Sequence, residues 1–105
     1  MESETHKNLT YQAGNILRRY GWNYTYTTGG VSDVDIIANK NFKEWKVEIE
    51  YSGGEPNIRA DLENGAHIFV APVDRLAAIE RIVRMLGSTA PVVTIGGFER
   101  HAREY

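Results

Sequence analysis

A mixed α/β fold is what this sequence predicts: one sheet of both parallel and antiparallel strands, with helices packed on both faces. Three observations predict it. Strand-like runs follow one another directly in the first half of the chain, which makes antiparallel neighbours. Later strand-like runs are separated by helical ones, which makes crossover connections and parallel neighbours. Each helical run carries a single apolar stripe, as a helix laid on a sheet requires.

From Lys7 to Tyr20 the apolar positions Leu9, Ala13, Ile16, Leu17 and Tyr20 form one helical face. Arg18 and Arg19 suit the negative end of that helix, and Gly21 suits its cap. Trp22–Thr28, WNYTYTT, is aromatic and β-branched and reads as a strand. Gly29-Gly30 turns the chain into a second strand, Val31–Ala38. Asn39-Lys40-Asn41 has turn chemistry, and Glu44–Tyr51 is the third strand. After Gly53-Gly54, Glu55-Pro56-Asn57 opens a short helix with Ile58 and Leu62 inward and Gly65 at its end. Ala66–Val70, AHIFV, reads as a strand buried on both sides. Asp74 is placed to cap a third helix, Arg75–Leu86, which Gly87 ends. Pro91–Ile95 is a short fifth strand. Gly96-Gly97 and the polar FERHAREY read as a mobile tail or an arm reaching a partner chain. The expectation is one domain over residues 1–105, with 1–6 and 97–105 as flexible tails.

Composition narrows the function classes. The 105 residues include no cysteine, which excludes disulfides, thiolate catalysis and cysteine-ligated zinc. No apolar run approaches the roughly 20 residues that span a bilayer. The opening MESETHKNLT is polar, so a cytoplasmic setting without membrane contact is expected. A net charge of −2 is not the footprint of a protein that holds nucleic acid by bulk charge. His6, His67 and His101 share no ligand spacing, and Ser32 and Ser52 lack a partnered histidine. His67 reads as a satisfied core residue, and Trp22 and Trp45 as core or interface.

The informative stretch is VSDVDIIANKNFKEWKVEIEYS, Val31–Ser52. Residues two apart in a strand share a face. Asp33 and Asp35 therefore point one way from the second strand, as do Lys46, Glu48 and Glu50 from the third. Val34, Ile36, Val47 and Ile49 take the opposite, core-facing side. Paired as a hairpin, the two strands crowd four carboxylates together, which is destabilising unless a cation offsets it. The alternative is a solvated hairpin face balanced by Lys40, Lys43 and Lys46.

Asp35-Ile36-Ile37-Ala38 and Glu48-Ile49-Glu50, set in this element order, resemble the PD-(D/E)xK nuclease superfamily of restriction endonucleases and Holliday-junction resolvases. The resemblance runs from about Leu9 to Ile95. It implies a restriction-endonuclease-like αβββαβ(αβ) core and a metal-dependent phosphodiesterase acting on DNA, duplex or branched. It implies Mg²⁺ or Mn²⁺ held by Asp35, Glu48 and the Ile49 backbone carbonyl, with Asp33 ranked lower. Glu50 stands where the superfamily usually has lysine, and would orient or deprotonate the attacking water. Lys46, two residues before Glu48, is the candidate substitute cation. Gln12 stands about where the superfamily often has a glutamate on its first helix. Asn57, Arg59 and Asp61, just after the motif, are candidate contacts to the DNA backbone, the alternative being a solvated helix face. A homodimer follows for cutting both strands, because one site faces one strand. The Glu50 replacement also admits a catalytically inactive module, serving a DNA-processing complex by binding nucleic acid or protein.

Overall fold

The structure, a computed structural model, describes residues 4–27, 35–51 and 54–105. The elements run α1 (Glu4–Arg19), β1 (Asn23–Tyr26), β2 (Ile36–Lys40), β3 (Lys43–Ile49), α2 (Glu55–Glu63), β4 (Ile68–Val70), α3 (Leu76–Met85), β5 (Val92–Val93) and α4 (Ile95–Glu104). The strands lie in the order β1-β2-β3-β4-β5 in a single sheet. β1, β2 and β3 pair antiparallel; β3–β4 and β4–β5 pair parallel. β3 is therefore the central strand, hydrogen-bonded on both edges.

Strand alternation divides the molecule into two cores. Ile36, Ala38, Trp45, Val47, Ile49, Ile68 and Val70 pack against Ala13 and Leu17 of α1 and Phe98 and Ala102 of α4. Ile37, Phe69 and Val92 pack against Ile58 of α2 and Ile79 and Val83 of α3. Helices thus cover both faces, as the sequence predicts. All three residues of β4 are fully buried, which suits a strand between two helical layers. Among the described residues no helix is long and apolar enough to cross a membrane.

The helix ends follow their glycines. Gly21 has φ 85°, its N–H reaches Arg18 O, and the Trp22 N–H reaches Leu17 O. This pair of bonds satisfies the last carbonyls of α1. The same arrangement ends α2 at Gly65 and α3 at Gly87. Asp74 does not cap α3; Arg75 holds that position, without a side-chain cap. The β2–β3 turn is one step later than Asn39-Lys40-Asn41. It is a two-residue loop, Asn41-Phe42, with φ 50° and 67°. Both residues at positive φ let the turn match the strand twist.

The C-terminal segment corrects an expectation. It is not a loose tail: Thr94 caps a helix that runs to Glu104, with its Oγ1 accepting the Gly97 N–H. Phe98 and Ala102, four residues apart, are fully buried. The Trp22 indole N–H donates to Ala102 O at 3.2 Å, and Glu99 accepts from Arg19 of α1 and from Tyr20 just after it. Gly97 is needed for packing, because a Cβ there would lie 2.9 Å from Val93 Cβ. At the other end, α1 already begins at Glu4 rather than after a flexible stretch of six residues.

Candidate metal centre

The acidic side chains meet at the C-terminal end of β3, on the face covered by α2. The register Ile36↔Val47 sets Asp35, just before β2, beside Glu48. Glu50 stays extended past the end of β3 because its N–H bonds Val70 O at 2.9 Å. It projects to the same side as Glu48. α2 supplies the fourth acid. Ile58 anchors that helix to the sheet, and Asp61, one turn on, follows it inward. Oxygens of Glu48, Glu50 and Asp61 all lie within 4.8 Å of one another. All three residues are buried.

Asp35 is held as an anion. Burial works to raise its pKa, but hydrogen bonds from His6, Glu48 and the Ile49 N–H outweigh that and set it below the ordinary value. The Ile49 N–H lies 2.8 Å from Oδ2, and His6 Nε2 lies 3.4 Å from the same oxygen. Glu48 is the opposite case. Burial, its bond to Asp35 and the repulsion of Asp35, Asp61 and Glu50 push its pKa up to about 11. It is therefore protonated at neutral pH and shares its proton with Asp35. Its other oxygen, Oε2, is buried with no hydrogen-bond partner among the described residues. Burial and the charges of Asp61 and Asp35 raise Glu50 to about 7, against a smaller opposing effect of His6. Burial and Asp35 raise Asp61 to about 7.

A divalent cation fits this donor set. Carboxylate oxygens suit hard ions such as Mg²⁺, Mn²⁺ and Ca²⁺. An octahedral Mg²⁺ with oxygens at about 2.1 Å holds opposite ligands roughly 4.2 Å apart, close to the spread of this triad. Buried polar atoms are nearly always partnered, so the bare Glu48 Oε2 is a lone pair in want of a ligand.

Of the residues singled out from the sequence, Asp35, Glu48 and Glu50 do converge. Asp33 lies outside the described residues. Ile49 meets the carboxylates through its N–H. The Lys46 ammonium is directed elsewhere: it donates to Asn64 O at the end of α2 and lies 4.0 Å from Glu44. Gln12 is on another side of α1, six residues and about 120° from His6. It lines a shallow cleft with Arg19 and Glu99 instead. Asn57 and Arg59 are on the outer face of α2, where Arg59 pairs with Glu55. His67 is exposed rather than a core residue, though its Nδ1 accepts the Lys46 N–H. Trp22 and Trp45 are core, 4% and 9% exposed.

Two residues escape the sequence reading. Asp61, expected with Asn57 and Arg59 as a solvated or DNA-facing helix residue, is instead buried on the inward side of α2 beside Ile58. His6 lies one turn before the buried Thr10, in a stretch too polar to mark as a site. No protein-family model, curated protein or solved structure matches this chain.

Proposed function

We propose that the chain is a divalent-metal-dependent phosphodiesterase acting on nucleic acid, with Glu48, Glu50 and Asp61 holding the ion and Asp35 beside them. The observation that carries this reading is the unpartnered Glu48 Oε2 inside a buried group of acids. A cluster that forces a glutamate to keep its proton is unfavourable for stability alone, which favours a binding role. The element order and the Asp35…Glu48-Ile49-Glu50 pattern support the nuclease-like version, through their resemblance to the PD-(D/E)xK superfamily.

Mg²⁺ or Mn²⁺, when bound, would polarise the scissile phosphate and acidify a water. The protein groups have separable tasks. The rigid central strand fixes Glu48 and Glu50. The Ile49 N–H and His6 keep Asp35 charged and oriented toward the cluster. In this reading Glu50 binds the ion through one oxygen and takes a proton from water with the other, and His6 brings a donor to the same group of acids. One such site addresses one strand, so cutting a duplex would take a homodimer; a monomeric mass in solution would remove that part of the proposal.

The test is cleavage of plasmid, duplex and branched DNA with Mg²⁺ or Mn²⁺, beside calorimetric metal binding. Wild type should cut, and Asp35→Asn and Asp61→Asn should lose at least 100-fold, in line with the loss of a charge-stabilising group. Metal bound without cleavage of any substrate would instead support the inactive-module reading. One observation favours that second reading: the Lys46 ammonium is taken up by Asn64 O, and among the described residues no lysine forms an ion pair with Asp35, Glu48, Glu50 or Asp61.

A further inference from the structure

We propose that the β2–β3 hairpin tip and the aromatic cleft beside it form a second site, which binds an unpaired nucleic-acid strand by base stacking. Three features of this end of the sheet converge on it. Phe42 sits at φ 67°, a left-handed conformation that costs a phenylalanine of the order of 1 kcal/mol or more, where glycine would be free. Its ring is fully exposed, so it contributes nothing to the core. A strained, solvent-facing aromatic at a hairpin tip gains only if something stacks on it.

Lys40 and Lys43 flank it and are directly opposed across the hairpin, a like-charge pairing that is unfavourable by itself. Neither forms an ion pair with a carboxylate among the described residues. Instead the Lys40 ammonium donates to Tyr20 O at 2.7 Å and lies 5.8 Å from the Trp22 ring, while that of Lys43 lies 4.4 Å from the Tyr105 ring. Lys43, held over a ring without a carboxylate partner, is complementary to a phosphate.

Lys43 also lines a cleft of about 410 Å³, which includes Trp22, His67, His101, Glu104 and Tyr105. That volume admits one nucleoside. His67 accepts the Lys46 N–H at Nδ1, so its Nε2 bears the proton when neutral and serves as a donor. Lys43 offsets Glu104, and the His67 Nε2–H adds a donor to the cleft. A base lodged here, the next on Phe42 and a phosphate at Lys43 form the stacking-plus-cation pattern that holds single strands without sequence preference. Lys43 and Glu48 stand at opposite ends of β3, roughly 16 Å apart at the strand's rise per residue. The site is therefore separate from the acidic cluster and does not depend on its activity.

The test is fluorescence anisotropy with labelled oligo-dT in EDTA, so that failure of the metal proposal leaves it intact. Wild type should bind oligo-dT more tightly than duplex DNA or dTMP. Phe42→Gly, which relieves the backbone strain and should leave thermal stability undiminished, is expected to weaken binding about 5- to 100-fold, the range for one lost stacked base. Phe42→Trp should retain binding. Lys43→Gln should reduce the slope of log affinity against log salt by about 0.7, one phosphate's share on a single strand. Absence of binding at low salt, binding unchanged in a folded Phe42→Gly, or preference for duplex or for dTMP would each overturn the proposal.

Discussion

Replacing Glu48 by glutamine should make the metal-free protein more stable, and increasingly so as pH rises. In the fold Glu48 keeps its proton up to about pH 11, whereas its ordinary value is 4.5. Above 4.5 the unfolded chain loses that proton and the folded chain does not, so folding takes up a proton. The raised pKa therefore contributes stability below about pH 4.5 that is lost as pH rises toward 11. Each pH unit costs about 1.4 kcal/mol. From 4.5 to pH 7 the accumulated cost is about 3 kcal/mol, by the same conversion. Glutamine is nearly isosteric with the protonated acid. Its NH₂ can keep the bond to Asp35, and it has no proton to take up. The gain should be near zero at pH 4.5 and approach about 3 kcal/mol at pH 7. Urea unfolding of both proteins in EDTA at pH 5, 6 and 7, followed by circular dichroism, measures it. A variant that is less stable at every pH, or whose difference from wild type is flat with pH, refutes the shared-proton description of the cluster. Manganese should reverse the ranking at pH 8, because only wild type can release the proton and bind the ion.

Other outcomes are expected. Metal-free wild type should lose thermal stability from about pH 4.5 to 7, where Glu50 and Asp61, both raised to about 7, keep protons in the fold that the unfolded chain has released; Mg²⁺ or Mn²⁺ should restore it most at and above pH 7, and Asp61→Asn should abolish the metal effect. A metal-independent melting curve at pH 8 would contradict this. Phe98→Ala should cost about 3–5 kcal/mol in denaturant unfolding, the usual range for a buried phenylalanine; a neutral result would mean that α4 does not pack as described. Gly97→Ala and Gly14→Ala should part company. The first meets Val93 Cβ at 2.9 Å and should cost about 1–3 kcal/mol. The second meets the hydroxyl end of the partly exposed Tyr26, which can swing aside, so it should be near neutral by the same measurement.

Local chemistry was written plainly in this chain. Glycines 21, 65 and 87 announced three helix ends because an unstrained positive φ is a property of the residue, whatever surrounds it. The alternation Lys46-Val47-Glu48-Ile49-Glu50 assigned the inward and outward sides of the central strand because a strand's period is fixed at two. The same rule put Asp35, Glu48 and Glu50 on a common face. Other features depended on contacts between distant segments. FERHAREY is polar along its length, and only the surface of α1, some eighty residues earlier, makes Phe98 and Ala102 a buried stripe and so a helix. Asp61 and His6 carry no mark of their role, since their approach to the carboxylates is set by how α2 and α1 dock on the sheet. Lys46 shares the acids' face by periodicity, yet its long side chain reaches the free carbonyls at the end of α2 instead. Periodicity and backbone preference act within a few residues and are read directly. Which groups then face one another across the layers is settled by packing, and for this protein that choice determines which acids can share an ion.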